Sequence, residues 1–312
     1  MENCYIGVDI GGMSIKGVVI NPAGNILAES CVKTGVEGGE EQVCANIVWL
    51  VRDLCKGIED YKPLGIGIGC PGIIDSKNGV VVFAANLKFQ NVPLAKMVEE
   101  KVNLPVKITN DANAAALGEA TFGAGKIYCN SVLVTLGTGV GGGIVIDDKL
   151  FEGYRSAGAE IGHMIIVKDG LPCTCGNKGC FEAYSSASAL IKKTAEEMKA
   201  HPESAMWNTY TAETVSGKTA FQYWESDETA AEVLEWYLDH LAVGLVNIAN
   251  IFRPQVIMIG GGISKEGDRL VNPLQKRMDK MLFAGSDYAP VKVVKATLGN
   301  QAGAFGAAAL VM

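Results

Sequence analysis

The chain has 312 residues, 48% hydrophobic and 20% charged, with a formal net charge of −7. Such a composition excludes a disordered polymer, and an acidic balance without any basic run or stripe excludes a nucleic-acid footprint. No apolar run approaches the roughly 20 residues of a bilayer span, and the N-terminus lacks a basic region leading into an apolar core, so the chain is expected in the cytoplasm, away from any membrane.

In chain order, Tyr5 to Ile10, Lys16 to Ile20 and Ile26 to Cys31 read as strands. The short link Gly11-Gly12-Met13-Ser14 and the turn chemistry of Asn21-Pro22-Ala23-Gly24-Asn25 make them an antiparallel meander. Val43, Ile47, Leu50, Val51 and Leu54 recur at helical spacing, which predicts a helix over 40–55. A buried strand is expected at Leu64 to Gly69, a helix at Leu94 to Val102 behind Pro93, a strand at Val106 to Thr109 and a helix from about Ala112 to Phe122. The pattern then restarts: a strand at Ser131 to Leu136, a glycine-rich link, and a strand at Gly143 to Ile146. Helices over 181–199 and 229–252 follow, then a strand at Gln255 to Ile259, a helix over 265–281, a strand at Val291 to Val294 and a closing helix over 302–310. Each half opens on strands joined by a glycine turn and continues through alternating helices and strands. The expected architecture is α/β with two domains, 1–120 and 121–312, a cleft between them, and a closing segment 301–312 that packs back on the first.

Glycine is abundant and clustered, and the clusters sit at strand ends. In Asp9-Ile10-Gly11-Gly12-Met13-Ser14-Ile15-Lys16 an acidic residue ends a strand before a turn without Cβ atoms. Such a turn lets backbone N–H groups reach phosphate oxygens, and the carboxylate is placed to hold Mg²⁺; a plain hairpin with an Asp reads the same way. Gly137-Thr138-Gly139-Val140-Gly141-Gly142-Gly143 repeats the design at the matching place in the second half. It lacks a Walker ending and opens no helix. Two such turns together suit a triphosphate. Gly260-Gly261-Gly262 follows a strand and precedes a helix, the place where open α/β sheets bind nucleotides. Asn110-Asp111 stands where a strand gives way to a helix: an N-cap, or a carboxylate able to take a proton from an attacking hydroxyl.

Of the nine cysteines, six are scattered singly and read as small buried hydrophobes of a reducing compartment. Cys173, Cys175 and Cys180 crowd one glycine-bent loop, with His163 shortly before them. Four N/S ligands match a closed, structural Zn²⁺ site, and a Cys173–Cys175 disulfide would close a strained small ring. Glu160 and Glu182 flank that loop: two solvated surface acids by default, or, if a metal pins the loop and holds them near each other, acceptors for paired sugar hydroxyls. The four tryptophans read as packing residues, and His201 and His240 carry no assigned role.

Together, Asp9-x-Gly11-Gly12-x-x-x-Lys16, Asn110-Asp111-Ala112-Asn113-Ala114, the Gly137 to Gly143 stretch, Glu160-x-Gly162-His163, Cys173-x-Cys175-Gly176-x-x-Gly179-Cys180-x-Glu182 and Gly260-Gly261-Gly262 make the chain resemble the ROK family (repressors, open reading frames and kinases) over essentially its whole length. The resemblance implies the actin-like ATPase (RNase H-like) fold and a kinase using ATP with Mg²⁺ to phosphorylate the C6 hydroxyl of a hexose, glucose foremost. N-acetylmannosamine or N-acetylglucosamine is the alternative acceptor, and a catalytically silent sugar sensor the alternative class. It implies Asp111 as catalytic base, Asp9 near Mg²⁺, and Asn86, Asn110, Asp111, Glu160, His163 and Glu182 as sugar contacts. Gly11, Gly12, Ser14, Lys16, Gly137, Thr138, Gly139, Gly261 and Gly262 would receive the nucleotide, and a homodimer is expected. Met13 departs from the threonine usual there, with Ser14 left to supply a hydroxyl. The repressor branch places a helix-turn-helix before the first glycine turn, and here that turn begins at Asp9.

Overall fold

The computed structural model describes residues 1–285 and 287–312. In order, the strands and helices are β1 (Glu2–Ile10), β2 (Ser14–Ile20), β3 (Ile26–Lys33), α1 (Gly39–Cys55), β4 (Tyr61–Cys70), β5 (Ile73–Asp75), β6 (Val80–Ala84), β7 (Phe89–Val92), α2 (Leu94–Val102), β8 (Val106–Asn110) and α3 (Asp111–Phe122). The chain continues with β9 (Ser131–Leu136), β10 (Val140–Ile146), β11 (Lys149–Phe151), α4 (Glu182–Ser185), α5 (Ala187–Ala200), α6 (Thr219–Tyr223), α7 (Glu228–Phe252), β12 (Val256–Gly261), α8 (Asp268–Met281), β13 (Lys292–Lys295) and α9 (Ala302–Ala309). Two compact units result: one of Met1–Asn130, Gly143–Ala159 and Thr297–Met312, the other of Ser131–Gly142 and Glu160–Ala296.

The first unit is built on a sheet of order β3-β2-β1-β4-β8, antiparallel on the β1-β2-β3 side and parallel from β1 to β8. Strand alternation sorts its faces. Ile6, Val8, Ile66, Ile68 and Ile108 are fully or almost fully buried in one core with Val43, Ile47 and Leu50 of α1. The other face carries Gly7 and Gly67, and α9 lies on it. A Cβ on Gly7 would strike the Ala304 carbonyl, one on Gly67 the Ala307 carbonyl, and one on Gly306 the Ala114 carbonyl of α3. Backbones at this separation leave no room for even a methyl group, so glycine is a packing requirement here.

In the second unit β12 lies between β9 and β13, parallel to both, and all four of Val256, Ile257, Met258 and Ile259 are fully buried. Such continuous apolar runs mark a parallel strand covered on both faces. The long α7 begins at Asp227, whose Oδ1 accepts from the Ala230 N–H at 2.7 Å. Its buried face includes Leu234, Tyr237, Leu238, Leu241 and Leu245.

Several boundaries differ from expectation. The helix expected over 181–199 is two, because Ser186 is extended and its hydroxyl caps α5 by accepting from Ala189 N–H at 3.0 Å. The strand expected at Gly143 starts at Val140, which shortens the glycine turn to Gly137-Thr138-Gly139. The small β5-β6-β7 sheet has no counterpart in the reading of 71–92, where the strands are short and half exposed. The helix expected from Lys265 starts at Asp268, after a 3₁₀ turn over Gly262–Glu266. Among the single cysteines, Cys31 and Cys129 are exposed.

Gly306→Ala should destabilise the fold by about 2–3 kcal/mol, the cost of overpacking against backbone. Gly57→Ala, at a site with nothing within 4 Å of the new Cβ, should stay within about 0.5 kcal/mol. Paired thermal melts check both.

Candidate functional site

In the first unit, Asp9 is the penultimate residue of β1, which ends at Ile10 before the chain turns through Gly11 to Met13. The turn is closed by the Gly11 N–H donating to the Ser14 carbonyl at 2.9 Å. Thr34, fully buried, braces it: its hydroxyl donates to the Gly11 carbonyl at 2.6 Å and its N–H to the Met13 carbonyl at 3.1 Å. Met13 itself is 90% exposed, so the turn's shape owes nothing to that side chain. Thr34 carried no motif and was not anticipated.

Asp9 is half-buried beneath the first turn of α9, where a Cβ on Gly303 would meet the carboxylate at 2.8–3.0 Å. Burial, then the charge of Asp111, raise its pKa from an ordinary 3.8 to about 6, while Lys16, paired across from it on β2, pulls the other way. Asp111 opens α3. It keeps solvent access, yet the protein around it strips enough hydration to raise its pKa too; the Ala112 N–H, its own N–H and Asn110 oppose the rise. Two carboxylates with raised affinity for protons thus stand at the ends of β1 and β8.

Side-chain hydrogen bonds hold α3 in place at both ends. Asn110 is the N-cap of α3: its Oδ1 accepts from the Ala112 and Asn113 N–H groups at 2.9 and 3.3 Å, and its amide donates to the Gly72 carbonyl at 3.0 Å. One residue earlier, the buried Thr109 donates its hydroxyl to Glu152 Oε1 at 2.6 Å, and Ser76 donates to the same oxygen at 2.6 Å. At the far end of α3, Glu119 is fully buried and accepts from the N–H groups of Ala124, Thr297 and Leu298 at 2.9, 3.1 and 2.6 Å. A buried carboxylate satisfied by backbone donors binds the segment leading into α9 to the helix that carries Asp111. Glu119 and Glu152 were missed; a lone Glu in an alanine-rich helix or in a loop gives no spacing signal. Asn86 is exposed on the short 3₁₀ turn Ala85–Leu87.

In the second unit, His163, Cys173, Cys175 and Cys180 bring one ligand atom each to within 4.8 Å of all the others. A tetrahedral ion with bonds near 2.3 Å has ligand-to-ligand edges of about 3.8 Å. Cys175 Sγ and Cys180 Sγ lie 3.6 Å apart, and Cys173 Sγ lies 3.8 Å from His163 Nδ1. The cluster therefore has the donors and the dimensions to hold a metal ion, with the Nε2 side of His163 left over. Glu160 is exposed, at the head of the 3₁₀ turn that ends in His163. Glu182 opens α4, which buried contacts fix in place: the Tyr237 hydroxyl donates to the Ser185 carbonyl at 2.8 Å, and His240 stacks on Tyr184 with centroids 4.5 Å apart. Gly261, with φ of 82°, ends β12, and the Ser264 hydroxyl donates to its carbonyl at 2.8 Å.

These motifs can be set beside known proteins. The family model of the ROK family matches residues 5–312. The chain belongs to the ROK family. The glucokinase of Streptomyces coelicolor is 37% identical over 310 residues, covering 98% of this chain and 96% of that one. The xylose repressor of Caldicellulosiruptor bescii is 32% identical over 311 residues, covering 98% of this chain and 77% of the repressor. Among solved structures, the ROK family glucokinase of Streptomyces griseus in complex with glucose and AMPPNP is 36% identical, with a TM-score of 0.79 and 98% of each chain covered. The α/β architecture is thus the actin-like ATPase fold of the ROK sugar kinases.

Asp9 gives a test of the electrostatics. Its folded pKa lies above its unfolded one, so the ionised form costs stability above about pH 6 and the cost vanishes below about pH 4. Asp9→Asn should therefore melt higher than wild type at pH 8, by about 1–2 kcal/mol after allowing for partial solvation, and equal it at pH 4. Nucleotide-free thermal melts across that range check it.

Proposed function

We propose that this ROK protein is an ATP-dependent glucokinase that phosphorylates the C6 hydroxyl of glucose. The observation that carries the reading is that Asp9 and Asp111 converge on one backbone position, since a Cβ on Gly69 would lie 3.7 Å from Asp9 Oδ1 and 3.8 Å from Asp111 Cα, and burial raises the pKa of both carboxyls. Phosphoryl transfer asks the protein mainly for positioning, charge neutralisation and one proton acceptor. Asp111 is the acceptor: it takes the proton of the C6 hydroxyl as that oxygen attacks the γ-phosphate of ATP. The raised affinity of its carboxyl for protons suits a base better than an ordinary surface carboxylate would. Asp9 associates with the Mg²⁺ that arrives with ATP. The turns at Gly11–Ser14 and Gly137–Gly139 offer backbone N–H groups to the phosphates, with Lys16 adding charge and Gly261–Gly262 receiving the nucleoside end. The full-length likeness to glucokinases of 35–37% identity supports glucose as acceptor.

Within the second unit Glu160, Glu182 and the Nε2 side of His163 are the sugar ligands this reading assigns, and within the first Asn86 and Asn110. Zn²⁺ fits the Cys173, Cys175, Cys180 and His163 quartet, which fills a tetrahedral shell and leaves no open position. Its part is to fix the loop and the tautomer of His163, with no direct role in the chemistry. Scattered single cysteines support a reducing, cytoplasmic setting.

A coupled ADP assay over a hexose panel tests the reaction: glucose should give the highest kcat/KM, and Asp111→Asn should lower kcat about 10²- to 10⁴-fold. Glucose binding without ADP formation from any hexose would instead make the chain a sugar sensor. Elemental analysis should find about one zinc per chain, and Cys175→Ala should lose both the metal and glucose affinity.

A further inference from the structure

The stretch that follows the last cysteine of the metal cluster clasps the second glycine turn at both ends. Phe181, next to Cys180, donates its N–H to the Met164 carbonyl at 2.8 Å, and its fully buried ring packs against Gly244 of α7. One residue on, Glu182 Oε2 accepts from the Val140 N–H at 3.0 Å, directly after the turn. Five residues further, the Ala187 N–H donates to the Gly137 carbonyl at 2.9 Å, at the turn's first residue. The turn itself is closed by the Gly137 N–H on the Gly139 carbonyl at 3.0 Å. The other oxygen of Glu182 faces the metal loop: Oε1 accepts from the Thr174 hydroxyl at 3.4 Å and lies 3.8 Å from Cys173 Sγ. Gly139 has no space for a Cβ, because Glu182 Oε2 occupies it.

We propose that Glu182 is a positioning residue for the nucleotide: its carboxylate is a strut through which the metal-held loop sets the conformation of the Gly137–Gly139 turn. This rests on the reading of that turn as a phosphate cradle. A charge-assisted bond to Val140 N–H fixes the strand end from which the turn springs. The strut abuts in turn the glycine-bent loop that carries the ligand quartet, which backbone bonds such as Cys173 N–H to the Asn177 carbonyl at 2.9 Å fold back on itself. A carboxylate oxygen has capacity for more than one donor, so the strut leaves Glu182 free to accept sugar hydroxyls as well. On this view the metal governs affinity for nucleotide, measured without any sugar present.

Calorimetric titration with Mg-ADP, in the absence of sugar, tests the strut. Glu182→Ala should weaken Mg-ADP by about ten- to a hundredfold, the scale of one charge-assisted bond, while zinc content is retained. Gly139→Ala, which leaves Glu182 and every metal ligand in place but drives the carboxylate off Val140, should weaken it comparably with little change in melting temperature. Stripping the metal from wild type should produce a loss of the same order, and stripping it from Glu182→Ala should add almost nothing, since both act through one path. Mg-ADP affinities within about twofold of wild type in the two variants would overturn the proposal, as would equal losses on stripping in wild type and Glu182→Ala. A wild-type chain that takes up no Mg-ADP overturns the kinase reading itself, and the strut with it.

Discussion

The first unit depends on how closely α9 can approach. Backbone carbonyls of α9 lie where the Cβ atoms of Gly7 and Gly67 would be, and Gly306 lies against the Ala114 carbonyl of α3. Contact at this range makes the sheet, α3 and α9 one rigid block. Asp9 stands one residue before the end of a strand of that block and Asp111 begins a helix of it. Glu119 adds the polar fastening, with three backbone N–H groups on one buried carboxylate. The electrostatic coupling between Asp9 and Asp111 is therefore a property of packing several residues away from either.

Much of this was legible beforehand because the chemistry is written in short motifs. Strand–glycine–strand units announce a tight, open turn by the absence of Cβ atoms. A C-x-C-G-x-x-G-C run with a preceding His announces a cluster of metal-type donors by count, and the quartet does come together within 4.8 Å. Alternating apolar runs located most strands and helices because burial imposes a period. The illegible parts share a physical cause. Glu119, Glu152 and Thr34 act on backbone or hydroxyl partners far away in sequence, and no spacing rule marks such a bond. The β5–β7 strands are short and partly exposed, which leaves little hydrophobic alternation to read. The break at Ser186 was hidden because Ser185, Ser186 and Ser188 crowd one short stretch as candidate caps, and only the bond actually made picks the boundary.

An acidic chain that is to hold anions has no general positive field to do it with. On the proposed reading the demand is met locally, by backbone N–H groups at tight turns and by Lys16, which lies across from Asp9 on β2. The same economy appears in the second unit, where a single short helix, α4, carries Glu182 and is itself fixed by Tyr237, Tyr184 and the ring of Phe181. Rigid supports of this kind keep site residues in position without consuming the polar groups that a ligand needs.

The membership of Thr297–Met312 in the first unit has a consequence for biosynthesis. A ribosome delivers the sheet long before it delivers the helix that covers its glycine-lined face. Until the last residues emerge, that face has no partner, and the nascent first unit is an incomplete layer exposed to its surroundings. Maturation of the N-terminal portion is thereby tied to the synthesis of residues 297–312, so a chain that stops short of them forfeits the layer built from its beginning as well.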